Sequence, residues 1–186
     1  MDKPWKTIST KVAYENNWIQ VTHRDVINPS GNSGIYGVVD FKNLAIGIVP
    51  IDKDGHTWLV RQFRYTLNQY TWEIPEGGCP KGETPFITAQ RELQEETGLT
   101  AKKWTKIAEF HTSNSVTNEY GEVFLAENLT MGEQALEDCE DIIVKRLPLQ
   151  EAYQMVLDGK ITDSVSMIGL LKAHLLIKAG DRNSES

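Results

Sequence analysis

Between Gly77 and Leu99 the chain reads G-G-C-P-K-G-E-T-P-F-I-T-A-Q-R-E-L-Q-E-E-T-G-L, a glycine-rich loop that runs into a short helix predicted from its periodicity. Glu92 and Glu96 are four residues apart, so they stand about 40° apart around a helix of 3.6 residues per turn, with Glu95 flanking the same stripe. Carboxylates at this spacing repel by about 0.2 to 0.5 kcal/mol per pair on an exposed helix. A hard divalent cation with oxygen ligands reverses that penalty, which suits the segment to holding Mg²⁺ or Mn²⁺ against a diphosphate. Taken alone, an E-x-x-E-E run more often describes a solvated helix face.

Local signals fix where the helix starts and stops. Thr84 is the expected N-cap, Pro85 the first helical residue and Gly98 the C-terminal glycine. Phe86, Ala89 and Leu93 form the expected core stripe, leaving Gln90, Glu92, Glu95 and Glu96 on the other flank. Arg91 precedes Glu95 by four residues and can pair with it, either to fix the carboxylate array or as an ordinary helix-face ion pair.

Nine positions of this stretch (Gly77, Glu83, Arg91, Glu92, Leu93, Glu95, Glu96, Gly98 and Leu99) match, residue and spacing, the box of the Nudix hydrolases. The resemblance implies that Arg91 orients the carboxylates and that the backbone carbonyl of Glu76, just before the first glycine, turns toward metal. Glu92 and Glu96 are then the metal ligands, with Glu95 a ligand through water or a base.

Composition sets softer bounds. The chain has 186 residues, 40% hydrophobic and 24% charged, as expected for one main globular domain with an appendage. A formal net charge of −7 argues against a sequence-independent grip on long nucleic acid, which needs a basic surface. Cys79 and Cys139 form no metal-spaced pair, and no secretory signal or membrane-length apolar run is visible, so a cytoplasmic enzyme is expected.

Along the chain, alternation in Lys6 to Ala13 and in Trp18 to Val26, followed by the turn-rich Asn28 to Gly34, predicts a small antiparallel sheet over residues 1–40. Residues 41–186 then form the catalytic body. Leu44 to Ile51 and Thr57 to Phe63 flank an Asp-Gly turn and read as a hairpin. Further strands are expected over Trp104 to His111 and Gly121 to Ala126. One helix should open at Pro148 and run to about Asp158, and another from about Thr162 to Ala179, with Gly180 as its stop. The pattern is α/β, and the resemblance sharpens it to the Nudix α/β/α sandwich with a mixed sheet.

The N-terminal appendage is similar to that of the ADP-ribose and nucleoside diphosphate sugar pyrophosphatases within the family. That likeness implies a Mg²⁺-dependent hydrolase of ADP-ribose, GDP-mannose and similar compounds. It also implies a homodimer that exchanges the N-terminal sheet. Val60-Arg-Gln-Phe-Arg64 resembles a strand whose final arginine meets phosphate, making Arg64 the first candidate and Arg61 the second. Trp5 and Trp18 are candidates to stack on the base, with core or dimer packing as the alternative. Trp72 and Glu73 precede the box as an aromatic-acidic pair does in relatives, which makes Glu73 a candidate site carboxylate.

Two residues are candidates for the general base. Glu140 lies in the acidic stretch Glu133 to Asp141, which with the segment after it resembles the loop and following strand where these pyrophosphatases carry a catalytic glutamate; Glu119 adjoins the loop Thr112 to Asn118. That loop lacks the Ser-Pro-Gly typical of ADP-ribose-specific relatives, which favours a broader choice of sugar. Other nucleoside diphosphate derivatives (dinucleoside polyphosphates, coenzyme A compounds or capped RNA ends) and a non-catalytic nucleotide-sugar sensor are the alternative readings.

Overall fold

The computed structural model describes residues 3–136 and 141–184. The chain divides into two compact units, one holding the stretch through Leu44 together with His111–Tyr120, the other Ala45–Phe110 and the chain from Gly121 onward.

The first unit is a meander of β1 (Lys6–Glu15), β2 (Ile19–Ile27) and β3 (Ser33–Phe41), antiparallel in the order β1-β2-β3. Alternating text predicts the first two strands. The third completes the sheet after a turn in which Asn28 Oδ1 accepts from the N–H groups of Ser30 and Asn32 at 3.0 Å. The distant segment 111–120 joins this sheet through Val39 N to Val116 O at 2.9 Å and Phe41 N to Asn118 Oδ1 at 2.7 Å. β1 is exposed along its whole length, including Ile8, Val12 and Tyr14.

In the second unit the strands are β4 (Leu44–Ile51), β5 (His56–Arg64), β6 (Gln69–Glu73), β7 (Glu76–Cys79), β8 (Leu99–His111), β9 (Tyr120–Met131) and β10 (Ile143–Pro148). Its helices are α1 (Pro85–Thr97), α2 (Leu149–Leu157) and α3 (Ser164–Ser184). One sheet has the order β7-β4-β9-β8 and is mixed, since β4 and β9 run parallel from Ala45↔Gly121 to Ile51↔Glu127. The other, β10-β5-β6, is antiparallel. A near-continuous apolar run makes β4 a strand buried on both faces, and Val49 packs in the core with Leu59, Ile74, Val123 and Leu170.

Two expectations are corrected. The Asp-Gly turn forms, with Asp52 Oδ1 accepting from Asp54 N and His56 N at 2.9 Å, yet it does not make a hairpin. Both edges of β4 are taken by β7 and β9, so β5 leaves for the other sheet. Gly180 does not stop α3, which continues to Ser184. Gly98 and Gly159 adopt positive φ whereas Gly180 does not, and a glycine in helical conformation costs only about 1 kcal/mol relative to alanine. Among the described residues no helix is long and apolar enough to cross a membrane.

Candidate active site

The helix α1 is delimited as its sequence predicts. Thr84 Oγ1 accepts from Ile87 N at 3.3 Å, Pro85 occupies the first turn, and Gly98, at φ +71°, donates its N–H to Gln94 O at 2.8 Å. Ala89 and Leu93 are fully buried, while Phe86 packs its ring edge-to-face on Trp104. The acidic flank departs from expectation, because Glu92 and Glu96 are only 8% and 2% exposed. Periodicity assigns carboxylates to solvent; here they turn against β7, the short strand that the glycine-rich text forms ahead of α1.

That strand is shaped around them. The main-chain N–H of Glu76 donates to Glu96 Oε2 at 3.0 Å. A Cβ on Gly77 would lie 2.0 Å from Glu92 Oε1 and 2.1 Å from its carboxyl carbon, so any larger residue there would displace this carboxylate. On the other side Arg91 Nη1 pairs with Glu92 and Glu95, each at 2.8 Å, and Nη2 pairs with Glu83 at 3.2 Å. Hydrogen bonds from Arg91 and Thr88 hold the Glu83 carboxyl below its ordinary pKa. The Arg91–Glu95 pair suggested by spacing is therefore formed, within a larger cluster.

Behind the strand lies a second ionic group. Glu73, 2% exposed, receives Arg64 Nε at 2.9 Å and Nη2 at 2.5 Å, and also the Thr71 hydroxyl at 2.5 Å. The same Nη2 reaches Glu76 Oε1 at 2.7 Å. Burial works against the Arg64 charge, but the hydrogen bond to Glu73 and the charges of Glu76, Glu73 and Asp163 outweigh it and raise its pKa. Glu76 is driven the other way. Burial first, then the charges of Asp163 and Glu73, lift its carboxyl well above the usual range despite Arg64. Its Oε2 is buried with no hydrogen-bond partner.

These residues fit a hard divalent cation in two respects: the donors are carboxylate oxygens, and one buried carboxylate oxygen, Glu76 Oε2, is orphaned. Among the described residues no three acidic, His or Cys side chains already stand at metal-holding spacing. Glu92 and Glu95 are instead drawn to Arg91.

The other candidates fall elsewhere. Arg61 lies on the opposite face of β5 from Arg64, its guanidinium 4.8 Å from the centre of the Tyr70 ring and 6.0 Å from that of Trp72. Trp5, Trp18 and Glu119 belong to the first unit. Trp5 meets Tyr36 edge-to-face at 5.5 Å, Trp18 is 65% exposed, and the Glu119 carboxylate accepts from the Thr112 hydroxyl. Glu140 lies outside the described residues. Sequence reasoning missed Thr71, the Glu76 side chain and Asp163. The first shares a strand face with Glu73 two residues on, a readable signal. Asp163 caps α3 by accepting from Ser166 N at 2.7 Å, and nothing in its local sequence connects it to Glu76.

A family model described as the NUDIX domain matches residues 41–165. The chain belongs to the Nudix family. A second model, the nucleoside diphosphate sugar hydrolase N-terminal domain, matches residues 5–39. Among curated relatives, the ADP-ribose pyrophosphatase of Bacillus subtilis (strain 168) is 37% identical over 161 residues, 86% of each chain. The ADP-ribose pyrophosphatase of Mycobacterium tuberculosis (strain ATCC 25618 / H37Rv) is 32% identical over 173 residues, 91% of this chain and 83% of that one. A solved structure titled "Crystal structure of ADP compounds hydrolase" superposes with a TM-score of 0.85 over 96% of both chains at 22% identity, a likeness of fold. The mixed sheet with its helices is thus the Nudix fold, here carrying a small antiparallel N-terminal sheet, and this Nudix chain is a hydrolase of the pyrophosphatase class.

Proposed function

We propose that this Nudix enzyme hydrolyses the diphosphate of nucleoside diphosphate sugars, ADP-ribose foremost and GDP-mannose among others, to a nucleoside monophosphate and a sugar phosphate. The observation that carries this reading is the seating of Glu96 on Glu76 N–H and of Glu92 on Gly77, which presents carboxylates from one helix turn to one strand. The names of the two pyrophosphatase relatives and the N-terminal family match support the substrate class.

Glu92, Glu96 and the Glu76 carbonyl would hold the cation, Mg²⁺ or in its place Mn²⁺, with Glu95 contributing through water or as a base. When bound, the ion neutralises diphosphate charge and lowers the pKa of water. Arg91 keeps the acidic side chains arrayed. Arg64, one third exposed despite its two carboxylate partners, is positioned for phosphate in this reading, with Arg61 as the second candidate. Glu73 acts through Arg64, which it holds by accepting from Nε and Nη2. Glu140 or Glu119 takes the proton from the attacking water, and Trp5 or Trp18 stacks on the base.

The enzyme is further proposed to be a cytoplasmic homodimer exchanging its N-terminal sheet. The exposed apolar residues Ile8, Val12 and Tyr14 on β1 support such a partner surface. Hydrolysis of a panel of nucleotide sugars in ¹⁸O-labelled water, with products weighed by mass spectrometry and metal supplied or chelated, tests the reaction. Binding of ADP-ribose without metal-dependent turnover of any compound would refute it. Sedimentation of the purified protein checks the dimer.

A further inference from the structure

The last turn of an α-helix leaves its carbonyl groups without intrahelical partners and is the turn most prone to fray. In α1 that turn carries Glu95 and Glu96. Gln94 O is satisfied by Gly98 N at 2.8 Å, but the next carbonyls are met from a segment more than thirty residues further along. Ala135 N donates to Glu95 O at 3.1 Å, the Gln134 side-chain amide donates to Glu96 O, and Gly132 N donates to Gly98 O at 2.7 Å.

The approach is close enough to require a glycine for a second reason. A Cβ on Gly98 would stand 2.8 Å from Gly132 O and 3.1 Å from both Gln134 N and the Glu133 carbonyl carbon. The closing glycine of the box therefore ends the helix and admits the segment that follows β9. Glu96 is held twice, its carboxylate by Glu76 N–H and its main chain by Gln134.

We propose that Gln134 is a positioning residue of the metal site. With the main chain of Gly132 and Ala135 it clamps the end of α1, and so keeps Glu95 and Glu96 in the arrangement that binds the cation. This rests on the reading of the box glutamates as the metal site. Gln134 is itself exposed, so replacing it leaves the core intact. The clamp acts on affinity for the ion, and substrate contacts are untouched.

The test is Mn²⁺ binding to the full chain, followed by electron paramagnetic resonance without substrate, for wild type, Gln134→Ala and Gln134→Glu. Glutamate keeps the shape of glutamine but offers no donor when ionised. Both variants should bind Mn²⁺ about 10-fold more weakly, the low end for residues that orient metal ligands. Their melting temperatures without metal should match wild type, KM for ADP-ribose should not move, and kcat should recover as Mn²⁺ is raised. Wild-type Mn²⁺ affinity in both variants overturns the clamp while leaving the metal site standing. Failure of the wild-type protein itself to bind Mn²⁺ overturns the metal reading and the clamp with it.

Discussion

The main-chain N–H of Glu76 donates to Glu96 Oε2 at 3.0 Å, tying the start of β7 to the last turn of α1. Twenty residues of sequence are thereby folded onto one hydrogen bond. Because Gly77 follows directly and lies on Glu92, the same pair of residues seats two carboxylates at once.

Glu96→Gln should retain the hydrogen bond from Glu76 N–H through its amide oxygen while losing the charge. Turnover should fall by about 100-fold or more, ~2.7 kcal/mol of barrier, with the melting temperature little changed. Steady-state kinetics beside calorimetry checks this, and near-normal turnover would remove Glu96 from the metal site.

Gly77→Ala places a methyl group on the Glu92 carboxylate and forces strand or side chain to move. A loss of about 1 to 3 kcal/mol in stability, as for overpacking elsewhere, should accompany a collapse of activity. Urea unfolding gives the first quantity. An active, equally stable variant would mean that the carboxylate is free to swing aside.

Arg64→Met leaves Glu73 buried beside Glu76 without its cation. Stability should drop by about 2 to 3 kcal/mol, less than for a wholly buried pair because one third of the Arg64 side chain meets solvent. Arg64→Lys should restore part of this but not the two-donor grip on Glu73.

His174 stacks on Tyr153 with ring centres 3.9 Å apart, and burial, aided by Lys178, lowers its pKa below the ordinary 6.5. The unfolded chain takes up the proton first as pH falls. The stabilisation from neutral His174 is therefore complete above the unfolded pKa and lost as pH drops through it toward the folded one. Melting temperatures measured from about pH 8 to pH 5 should decline for wild type and less steeply for His174→Phe, which keeps a stacked ring.

Glu140→Gln should slow turnover more than Glu119→Gln, on the strength of the resemblance of its segment to a catalytic loop. Single-turnover kinetics at saturating metal separates the two, and the opposite order would move the base to Glu119.

Much of the fold was legible because its signals are local. Thr84, Pro85 and Gly98 bound α1 through contacts within a few residues, and alternation marks β1 and β2. The hairpin expected after β4 failed because pairing depends on which edges remain free, a fact set by β7 and β9 far along the chain. In the site, the Arg91–Glu95 pair follows from helix spacing alone. The burial of Glu92 and Glu96 does not, since periodicity sorts residues by polarity and cannot see a glycine-containing strand lying over an acidic face. The Arg64–Glu73–Glu76 group joins β5, β6 and β7, and its Asp163 neighbour arrives from the start of α3. No window of sequence contains them all.

One guanidinium, that of Arg91, is shared among Glu83, Glu92 and Glu95. A single positive charge set among three negative ones leaves a deficit of two, which in the proposed site an ion of matching valence would cancel. Sodium or potassium would compete poorly with a side chain already in place, whereas a doubly charged ion can release it. On the proposed metal reading, discrimination against the abundant monovalent salts of a cell would in this way be built into an internal counter-ion.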